Sequence, residues 1–467
     1  MPAPPLQPIV IWFGRVGDMI LLSALLEILH RRYGSACHLI GAGAFPAQIY
    51  AVHRDVARVT TLHRYTVFLF DGAWWRAWRA LRASRNEPVY VCEYDPRKLT
   101  RIRRLLRLSG VDAARCLFIT RTACLSPRGD IPRGEAPAQG EPALPRSPDS
   151  APSHRGDTPA SLESPSPPTS YVAPSHRGDT SASLENPSPQ ASNVSPSHWV
   201  DRLVCFGRLT PPAFAAADYP WVEAPSNSDG SPPQAPGIAA TEGPVPPPRC
   251  APRLEVSEAA RAECAQWIEA QRWSGRPLVL VQPGNRRTMR GRKLRLSAED
   301  DKAWPIERWA ALLQKIHARM PQAVIVLCGA PREALLLSWI LAAAPLPAVA
   351  AAELPLPRLL ALCARAHSMI SVDTGPAHAA AALSLPLVVM FGAHSPAEWL
   401  PRSPGGSAVV GVGGPPHSSR LDQISVETVF AAWCALPGRE ATAPDGPAAS
   451  TGGGASLTST AASATAR

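Results

Sequence analysis

The sequence lacks clustered cysteines, a signal-peptide core and a long uninterrupted hydrophobic run. Its ten cysteines are scattered, with no Cys-x-x-Cys pair and no Cys/His cluster, which argues against a structural zinc site and for reduced thiols in a cytoplasm. The first basic residue is Arg15, and the apolar run from Ile9 to Phe13 is too short for a signal core. The uncharged stretch from Ala334 to Ala352 contains Pro345 and Pro347, so it predicts a helix, a turn and a short strand rather than a transmembrane span.

Acidic residues are also few relative to basic ones. Lys and Arg number 47 against 37 Asp and Glu, a net charge of +10, which predicts an acidic partner such as a phosphorylated substrate, a nucleic acid or an anionic membrane surface. The 467 residues are enough for two or three domains, and the hydrophobic fraction of 45% is typical of a globular protein. Of 53 prolines, 27 lie between residues 126 and 252, so a proline-rich interruption divides the chain.

That interruption has two parts. Residues 126–197 are low in complexity, and the octapeptide Ala-Pro-Ser-His-Arg-Gly-Asp-Thr occurs at 151–158 and again at 173–180. Two or three such units cannot bury a core, so we expect a disordered repeat insertion there. Residues 211–252 predict a proline-rich linker, and the Ala/Thr/Ser/Gly-rich residues 439–467 predict a disordered tail. The segment 198–210 between the two interruptions is expected to rejoin the first domain.

The first predicted domain, residues 8–125, alternates short apolar runs with stretches of helical spacing. Such an order predicts a parallel sheet covered by helices on both faces. The strand candidates are Pro8–Phe13, Cys37–Ile40, Val67–Phe70, Val89–Cys92 and Cys116–Ile119, and the helix candidates are Asp18–Arg32, Trp74–Ser84 and Lys98–Leu108.

The second predicted domain, residues 254–436, repeats this order after an amphipathic helix for which Ser257 is a plausible cap. Its strand candidates are Pro277–Val281, Ala323–Cys328, Met369–Val372 and Leu387–Phe391, and its helix candidates are Trp304–Met320, Glu333–Ala344, Leu356–Ala366 and Pro376–Leu383. We therefore predict an α/β protein with two doubly wound sheets, which would bind a ligand in the cleft between their strand ends.

The segment from Asp373 to His378 follows a buried strand and opens a helix. Pro376 suits the first turn because it has no N–H to leave unsatisfied. Asp373, Thr374 and Gly375 leave backbone N–H groups free at the positive helix end, an arrangement that binds phosphates and suggests a nucleotide diphosphate site. The same residues also suit an ordinary helix cap.

A second turn, Phe13-Gly14-Arg15-Val16-Gly17-Asp18, lies between the first strand and the first helix. Its glycines allow a ligand to approach the backbone, and the Asp18 carboxylate would be placed to accept a proton from a substrate hydroxyl. The alternative is that Asp18 caps the helix, and the residue types alone favour this cap. The third glycine of the dinucleotide-binding fingerprint is missing.

Two further candidates follow strands of the second domain. Gly284 lies in a Pro-Gly turn, and together with Lys302 it would hold a diphosphate through backbone N–H groups and an ammonium. A solvated basic loop is the alternative. Glu333 follows the next strand, where a carboxylate can bind ribose hydroxyls or simply favour the helix dipole.

Basic residues are concentrated in two helix candidates of the first domain. Residues 97–107 carry six positive charges and no acid, including Arg97, Lys98 and Arg101, and Trp74–Arg79 combines tryptophans with arginines. An acidic acceptor molecule, an anionic membrane surface or a solvated helix face would each account for them.

Taken together, these motifs resemble the lipopolysaccharide heptosyltransferase family, glycosyltransferase family 9, of the GT-B fold. The resemblance covers roughly residues 8–125, 198–210 and 254–436, and the two proline-rich interruptions are not part of the family pattern. The matching motifs are Gly17-Asp18-Met19-Ile20, Pro283-Gly284, Lys302-Ala303-Trp304-Pro305, Asp373-Thr374-Gly375-Pro376-Ala377-His378, Phe391-Gly392 and Ser395-Pro396.

The resemblance implies two Rossmann-like domains facing across a cleft and an inverting transfer of a heptosyl or related residue from a nucleotide sugar, ADP-heptose, to a lipopolysaccharide core or related glycan. Asp18 would be the catalytic base. The donor would be bound by Gly284, Lys302, Glu333, Asp373, Thr374, Gly375 and His378.

The resemblance also implies an acidic, lipid-linked glycan acceptor at the inner face of the cytoplasmic membrane, bound by Arg97, Lys98 and Arg101, with peripheral membrane contact. No metal or other cofactor is expected, because cationic groups and a helix dipole would stabilise the leaving charge. The paired α/β domains argue against a nucleic-acid partner. A non-catalytic GT-B protein that binds a nucleotide sugar or glycan is the alternative function.

Overall fold

The computed structural model describes residues 5–63, 72–84, 86–119, 198–215, 219, 250–285, 288–290, 293–294, 303–346 and 349–439. Several sequence predictions lie outside these ranges. They are the strand at Val67–Phe70, Lys302, the repeat insertion at 126–197, most of the linker at 211–252 and the tail beyond residue 439.

The first sheet contains five parallel strands in the order β3-β2-β1-β4-β5. The central strand β1 is buried along its whole length, as its sequence Ile-Val-Ile-Trp predicts. The strands are β1 (Ile9–Trp12), β2 (Cys37–Ala42), β3 (Val56–Leu62), β4 (Val89–Val91) and β5 (Cys116–Phe118), and the helices are α1 (Val16–Tyr33), α2 (Phe45–Ile49), α3 (Gly72–Ala83), α4 (Pro96–Leu108) and α5 (Trp199–Arg208).

Helices cover both faces of this sheet. Val10 and Trp12 of β1 belong to the buried cluster that contains α1, α2 and α5, whereas Ile9 and Ile11 belong to the cluster that contains α3 and α4. This division follows from the alternation of side chains along a strand. Helix α5, reached after the interruption, packs so closely on α1 that a Cβ on Gly207 would lie 2.8 Å from a methyl carbon of Leu25.

The second sheet contains six parallel strands in the order β10-β9-β6-β11-β12-β13, and β7 and β8 form a separate antiparallel hairpin. The strands are β6 (Leu278–Gln282), β7 (Met289–Arg290), β8 (Lys293–Leu294), β9 (Val324–Gly329), β10 (Val349–Glu353), β11 (Ser368–Val372), β12 (Leu387–Phe391) and β13 (Val409–Gly413). The helices are α6 (Glu258–Ala270), α7 (Ile306–Arg319), α8 (Ala334–Ala343), α9 (Leu356–Arg365), α10 (Gly375–Ala382), α11 (Pro396–Trp399) and α12 (Val426–Cys434).

The predicted fold class of two doubly wound α/β sheets is confirmed. The two sheets are joined by helix packing, since Ala379 and Ala382 of α10 belong to the same buried cluster as α1. A bidentate ion pair adds to this contact, with Arg402 Nη1 and Nη2 lying 2.6 and 2.7 Å from the Asp201 carboxylate oxygens. Among the described residues, no helix is both long enough and apolar enough to span a bilayer.

Candidate functional site

The candidate site lies at the carboxyl ends of the parallel strands, where the strand order reverses in each sheet. The reversal falls between β1 and β4 in the first sheet and between β6 and β11 in the second. Ser371 pairs with Gln282, so Asp373 and Gly284, each two residues further on, leave the sheet side by side. A reversal of this kind opens a crevice that binds ligands in doubly wound proteins.

The N-termini of α1 and α10 meet across this crevice. A Cβ on Gly375 would lie 3.1 Å from the backbone nitrogen of Gly17 and 3.2 Å from Val16 Cβ, and a Cβ on Gly17 would lie 3.5 Å from His378 Cδ2. Glycine at position 375 therefore permits the close approach, whereas a Cβ on Gly17 would make only ordinary contact. As a result, the positive ends of two helices from different sheets point toward one place.

Asp18 lies at this meeting point, as the third residue of α1. Its Oδ2 accepts a hydrogen bond of 2.7 Å from the backbone N–H of Arg15, and the side chain is half-buried. A Cβ on Gly14 would lie 2.5 Å from Asp18 Cβ, so the glycine leaves room for the carboxylate. Asp18 thus stabilises the helix start, as its capping interpretation predicted, and its role in proton transfer stays a prediction.

The turn before α10 places its side chains differently from an ordinary cap. Thr374 is the residue before the helix, and its side chain makes no capping hydrogen bond. Asp373 is 8% exposed, and its Oδ2 lies 2.8 Å from His394 Nδ1. His378 is buried in the first turn of α10. The N-terminal N–H groups of α10 are therefore not capped by Thr374, which is the condition for anion binding.

Glu333 lies against the Pro-Gly turn, as its predicted role requires. A Cβ on Gly284 would lie 2.8 Å from Glu333 Oε1, so only glycine allows this approach. Glu333 Oε2 accepts a 2.7 Å hydrogen bond from the Ala330 N–H, whereas the buried Oε1 has no hydrogen-bond partner in the described part of the chain. Burial raises the pKa of Glu333, and the Ala330 N–H, the Arg332 charge and the Gln282 carboxamide act in the opposite direction.

The predicted acceptor residues lie in the first turns of α4, which follows β4 at the same edge of the sheet as Asp18. Arg97 and Arg101 are exposed. Lys98 Nζ lies 3.4 Å from Oε2 of Glu93, a carboxylate that is 2% exposed. Asp95 caps the helix by accepting hydrogen bonds from the Arg97 and Lys98 N–H groups, and these bonds lower the pKa of Asp95.

Sequence reasoning missed a row of ring side chains that connects the two sheets. Trp199 of α5 stacks on Trp399 of α11 with ring centroids 5.6 Å apart and an interplanar angle of 17°. Trp399 in turn stacks on His394, the partner of Asp373, and Tyr94 packs edge-on against Trp199. The available signal was the position of His394 just after a strand end, between two motifs of the family resemblance.

The fold is that of a two-domain α/β protein of the GT-B type, in which the N-terminus of α10 and the Asp18 carboxylate lie beside one crevice. Residues 239–421 match the family model described as glycosyltransferase family 9 (heptosyltransferase). This match supports the predicted resemblance to glycosyltransferase family 9, and the predicted enzyme class, a glycosyltransferase, is confirmed.

Individual relatives are more distant. The chain is 29% identical over 131 residues to "Lipopolysaccharide heptosyltransferase 3" of Escherichia coli, a match that covers 28% of this chain and 35% of that protein. The chain thus spans about a third of the length of this curated relative.

Solved structures of the family share the fold at low identity. A glycosyl transferase family 9 protein from Veillonella parvula DSM 2008 matches with a TM-score of 0.55 and 14% identity, over 92% of this chain and 97% of that one. The ADP-heptose lps heptosyltransferase II of E. coli matches with a TM-score of 0.55 and 16% identity, over 92% and 98%. The E. coli heptosyltransferase WaaC with ADP matches with a TM-score of 0.51 and 14% identity, over 91% and 98%.

Proposed function

We propose that this protein transfers a heptosyl or closely related residue, with inversion, from ADP-heptose to a lipopolysaccharide core or related glycan. The observation that carries the proposal is the meeting of α1 and α10 at Gly17 and Gly375. It brings a carboxylate, Asp18, next to an anion-binding helix end, and glycosyl transfer needs both groups within one substrate's length.

In the proposed reaction the acceptor hydroxyl attacks the anomeric carbon of the donor sugar from the side opposite the diphosphate. The hydroxyl proton passes to the Asp18 carboxylate as the new C–O bond forms. The bond between the anomeric carbon and the diphosphate oxygen breaks, and the nucleoside diphosphate leaves. The N–H groups at Thr374 and Gly375, with His378 and Lys302, would stabilise the charge that develops on the leaving group.

The donor assignment is supported by the second half of the site. Glu333 is buried beside Gly284, and its Oε1 has no hydrogen-bond partner among the described residues, so a ribose hydroxyl would supply the missing hydrogen bond. The names of the similar proteins mention ADP-heptose and ADP. We propose ADP-heptose as the donor on these two grounds.

The acceptor is proposed to be an acidic lipid-linked glycan at the cytoplasmic face of the inner membrane. Arg97 and Arg101 are exposed in the first turns of α4, and their guanidinium groups suit phosphate groups on the acceptor. Such an acceptor requires peripheral contact between the protein and the membrane.

The test compares wild type with Asp18→Asn, which can still accept the Arg15 N–H bond but is a far weaker base. We expect Asp18→Asn to lose transfer by at least about a hundredfold and to retain its affinity for the donor, measured by thermal shift. In wild type, ADP or ADP-heptose should raise the unfolding temperature more than UDP, GDP or CMP do.

Three outcomes would change the proposal. Stabilisation by another nucleotide changes the donor, and loss of donor binding in Asp18→Asn removes its assignment as the base. Binding of a nucleotide sugar without any transfer to lipopolysaccharide acceptors would favour the non-catalytic binding protein.

A further inference from the structure

The outer face of α3 and α4 carries a dense set of exposed arginines and no acidic residue. The exposed arginines are Arg76, Arg79, Arg82, Arg97, Arg101, Arg103, Arg104 and Arg107. Neither helix contains Asp or Glu. Arg79 and Arg104 make no ion pair with any carboxylate in the described ranges of the chain. This face therefore presents a positive field that no acid of its own helices neutralises.

The same face also exposes apolar side chains. Trp75 and Leu108 are each 47% exposed. They are two of the four large hydrophobic side chains that are exposed in the described part of the chain. Trp78 joins the two, since its ring lies 5.5 Å from that of Trp75 and its Nε1–H donates a 2.9 Å hydrogen bond to the Leu108 carbonyl.

In the described part of the chain, this face lies on the outer side of the first sheet. The inner sides of both helices, including Trp74 and Leu105, pack on one face of the first sheet. The opposite face of that sheet carries α1 and α5. The buried cluster on that opposite face includes Ala379 of α10. The α3–α4 layer therefore lies on the side of the sheet turned away from the packing contact with α10.

We propose that the outer face of α3 and α4 binds the surface of an anionic lipid bilayer. The arginines would contact lipid phosphates, while Trp75, Trp78 and Leu108 would enter the boundary between headgroups and acyl chains. A nucleic acid would match the charge and would stack on an exposed tryptophan, but it gives no reason to expose Leu108, whereas membrane surfaces bind tryptophan and aliphatic side chains together with arginine. The inference deepens the proposed function and rests on it, because it names the surface that would hold the enzyme at its lipid-linked acceptor.

The test measures binding to lipid vesicles in the absence of donor and acceptor. The full-length protein is mixed with phosphatidylcholine vesicles that either contain or lack phosphatidylglycerol, and bound protein is recovered by sedimentation. The charge variant is Arg79→Gln with Arg104→Gln, and the apolar variant is Trp75→Gln. The control is Arg272→Gln with Arg319→Gln, which removes two exposed arginines from the second domain region.

We expect wild type and the control to bind only the vesicles that contain phosphatidylglycerol, and increasing salt to weaken this binding. The charge variant should bind roughly thirtyfold more weakly, since each arginine near an anionic surface contributes about a factor of five. Trp75→Gln should weaken binding at every salt concentration.

Equal losses in the charge variant and the control, or binding that ignores phosphatidylglycerol, would overturn the proposal. It would also be wrong if wild type binds a fluorescent single-stranded RNA more tightly than vesicles and the charge variant loses that RNA binding. Because neither substrate is present, failure here leaves the proposed transfer reaction standing, and failure of transfer leaves the vesicle result unaffected.

Discussion

Gly375, the first residue of α10, lies so close to Gly17 of α1 that a Cβ on Gly375 would be 3.1 Å from the Gly17 nitrogen. Gly375→Ala should therefore push the two helix ends apart by a few tenths of an ångström, because the nearest atoms are backbone and the β-branched Val16. We expect kcat to fall about tenfold through the displaced geometry and stability to fall by about 1–3 kcal/mol. Steady-state kinetics and urea unfolding measure the two effects.

Gly17→Ala is the matched control for that substitution. Its Cβ would lie 3.5 Å from Gly375 Cα and from His378 Cδ2, which is ordinary van der Waals contact. Alanine also suits a helix better than glycine. We expect this variant to stay near wild type in rate and stability. A larger loss in Gly17→Ala than in Gly375→Ala would contradict the idea that this approach positions the site.

The buried carboxylate of Glu333 is expected to lower the stability of the fold and to contribute to donor binding. Its Oε1 is buried without a hydrogen-bond partner among the described residues, and burial raises its pKa. When folding raises the pKa of an acid, the protonated acid contributes to stability at pH values below its unfolded-state pKa. This contribution is lost as the pH rises through the folded-state pKa. Glu333→Gln should therefore be at least as stable as wild type at pH 7 but bind the nucleotide sugar more weakly.

The comparison uses urea unfolding at pH 7 together with calorimetric donor titration. Glu269→Gln is the control, because Glu269 is an exposed glutamate in α6 and its substitution should change neither quantity appreciably. A Glu333→Gln variant that is strongly destabilised, yet binds donor normally, would mean that the carboxylate serves the fold rather than the ligand.

The sequence was sufficient to predict the central strands and the edge strands β5 and β10, but it did not predict the edge strands β3 and β13. The apolar runs that predicted β1 and β12 are buried over their whole lengths. The edge strand β3 contains Arg58, Thr60 and Thr61 and is partly exposed, so it carries no comparable run. Likewise β13, at the edge of the second sheet, was missed; its residues are mostly half-exposed and include two glycines.

The individual turns of the candidate site were also predictable, because each follows a strand and combines glycine with a charged or hydroxyl residue. Their mutual arrangement was not. Gly17 and Gly375 are far apart in the chain. Asp373 and His394 are closer in sequence, but they are still separated by more than the three or four residues over which a helical pattern brings side chains together. Contacts of this kind depend on how the sheets pack, which periodicity does not encode.

The ion pair between Arg402 and Asp201 should affect donor binding as well as stability, because it joins α5 to the segment after α11. Breaking it with Arg402→Gln is expected to raise the KM for the donor. A double-mutant cycle with Asp201→Asn should give a coupling energy of about 0.5–1 kcal/mol, since Asp201 is 45% exposed. High salt should reduce the coupling.

A second arginine–carboxylate pair provides the comparison. Arg358 of α9 and Glu263 of α6 form an ion pair with 3.0 Å between Nε and Oε1, and both helices pack in one cluster with the second sheet. Arg358→Gln should lower stability by a similar amount without changing the KM. If both substitutions raise the KM equally, the effect of Arg402 does not arise from its position between the sheets.

His198 should make the protein less stable in mild acid. Its Nδ1 accepts a 3.2 Å hydrogen bond from the Val200 N–H, which starts α5, and its Nε2 lies 2.8 Å from the Leu400 carbonyl. This arrangement requires the neutral ring with its proton on Nε2. Burial, and then the charge of Arg402, lower the pKa of His198 to about 4 from 6.5. The unfolded chain therefore binds a proton between pH 6.5 and 4 that the folded chain does not.

The stability of wild type should consequently decrease as pH falls from 7 to 5, and the share due to His198 should be about 2 kcal/mol at pH 5. His198→Gln retains an N–H donor for the Leu400 carbonyl but has no titrating ring. Its urea-unfolding free energy should therefore depend less on pH by that amount. His38, whose pKa burial lowers to about 3, remains in the variant and should keep part of the acid sensitivity. An unchanged pH profile in His198→Gln would mean that α5 accommodates a charged ring without losing its contact with Leu400.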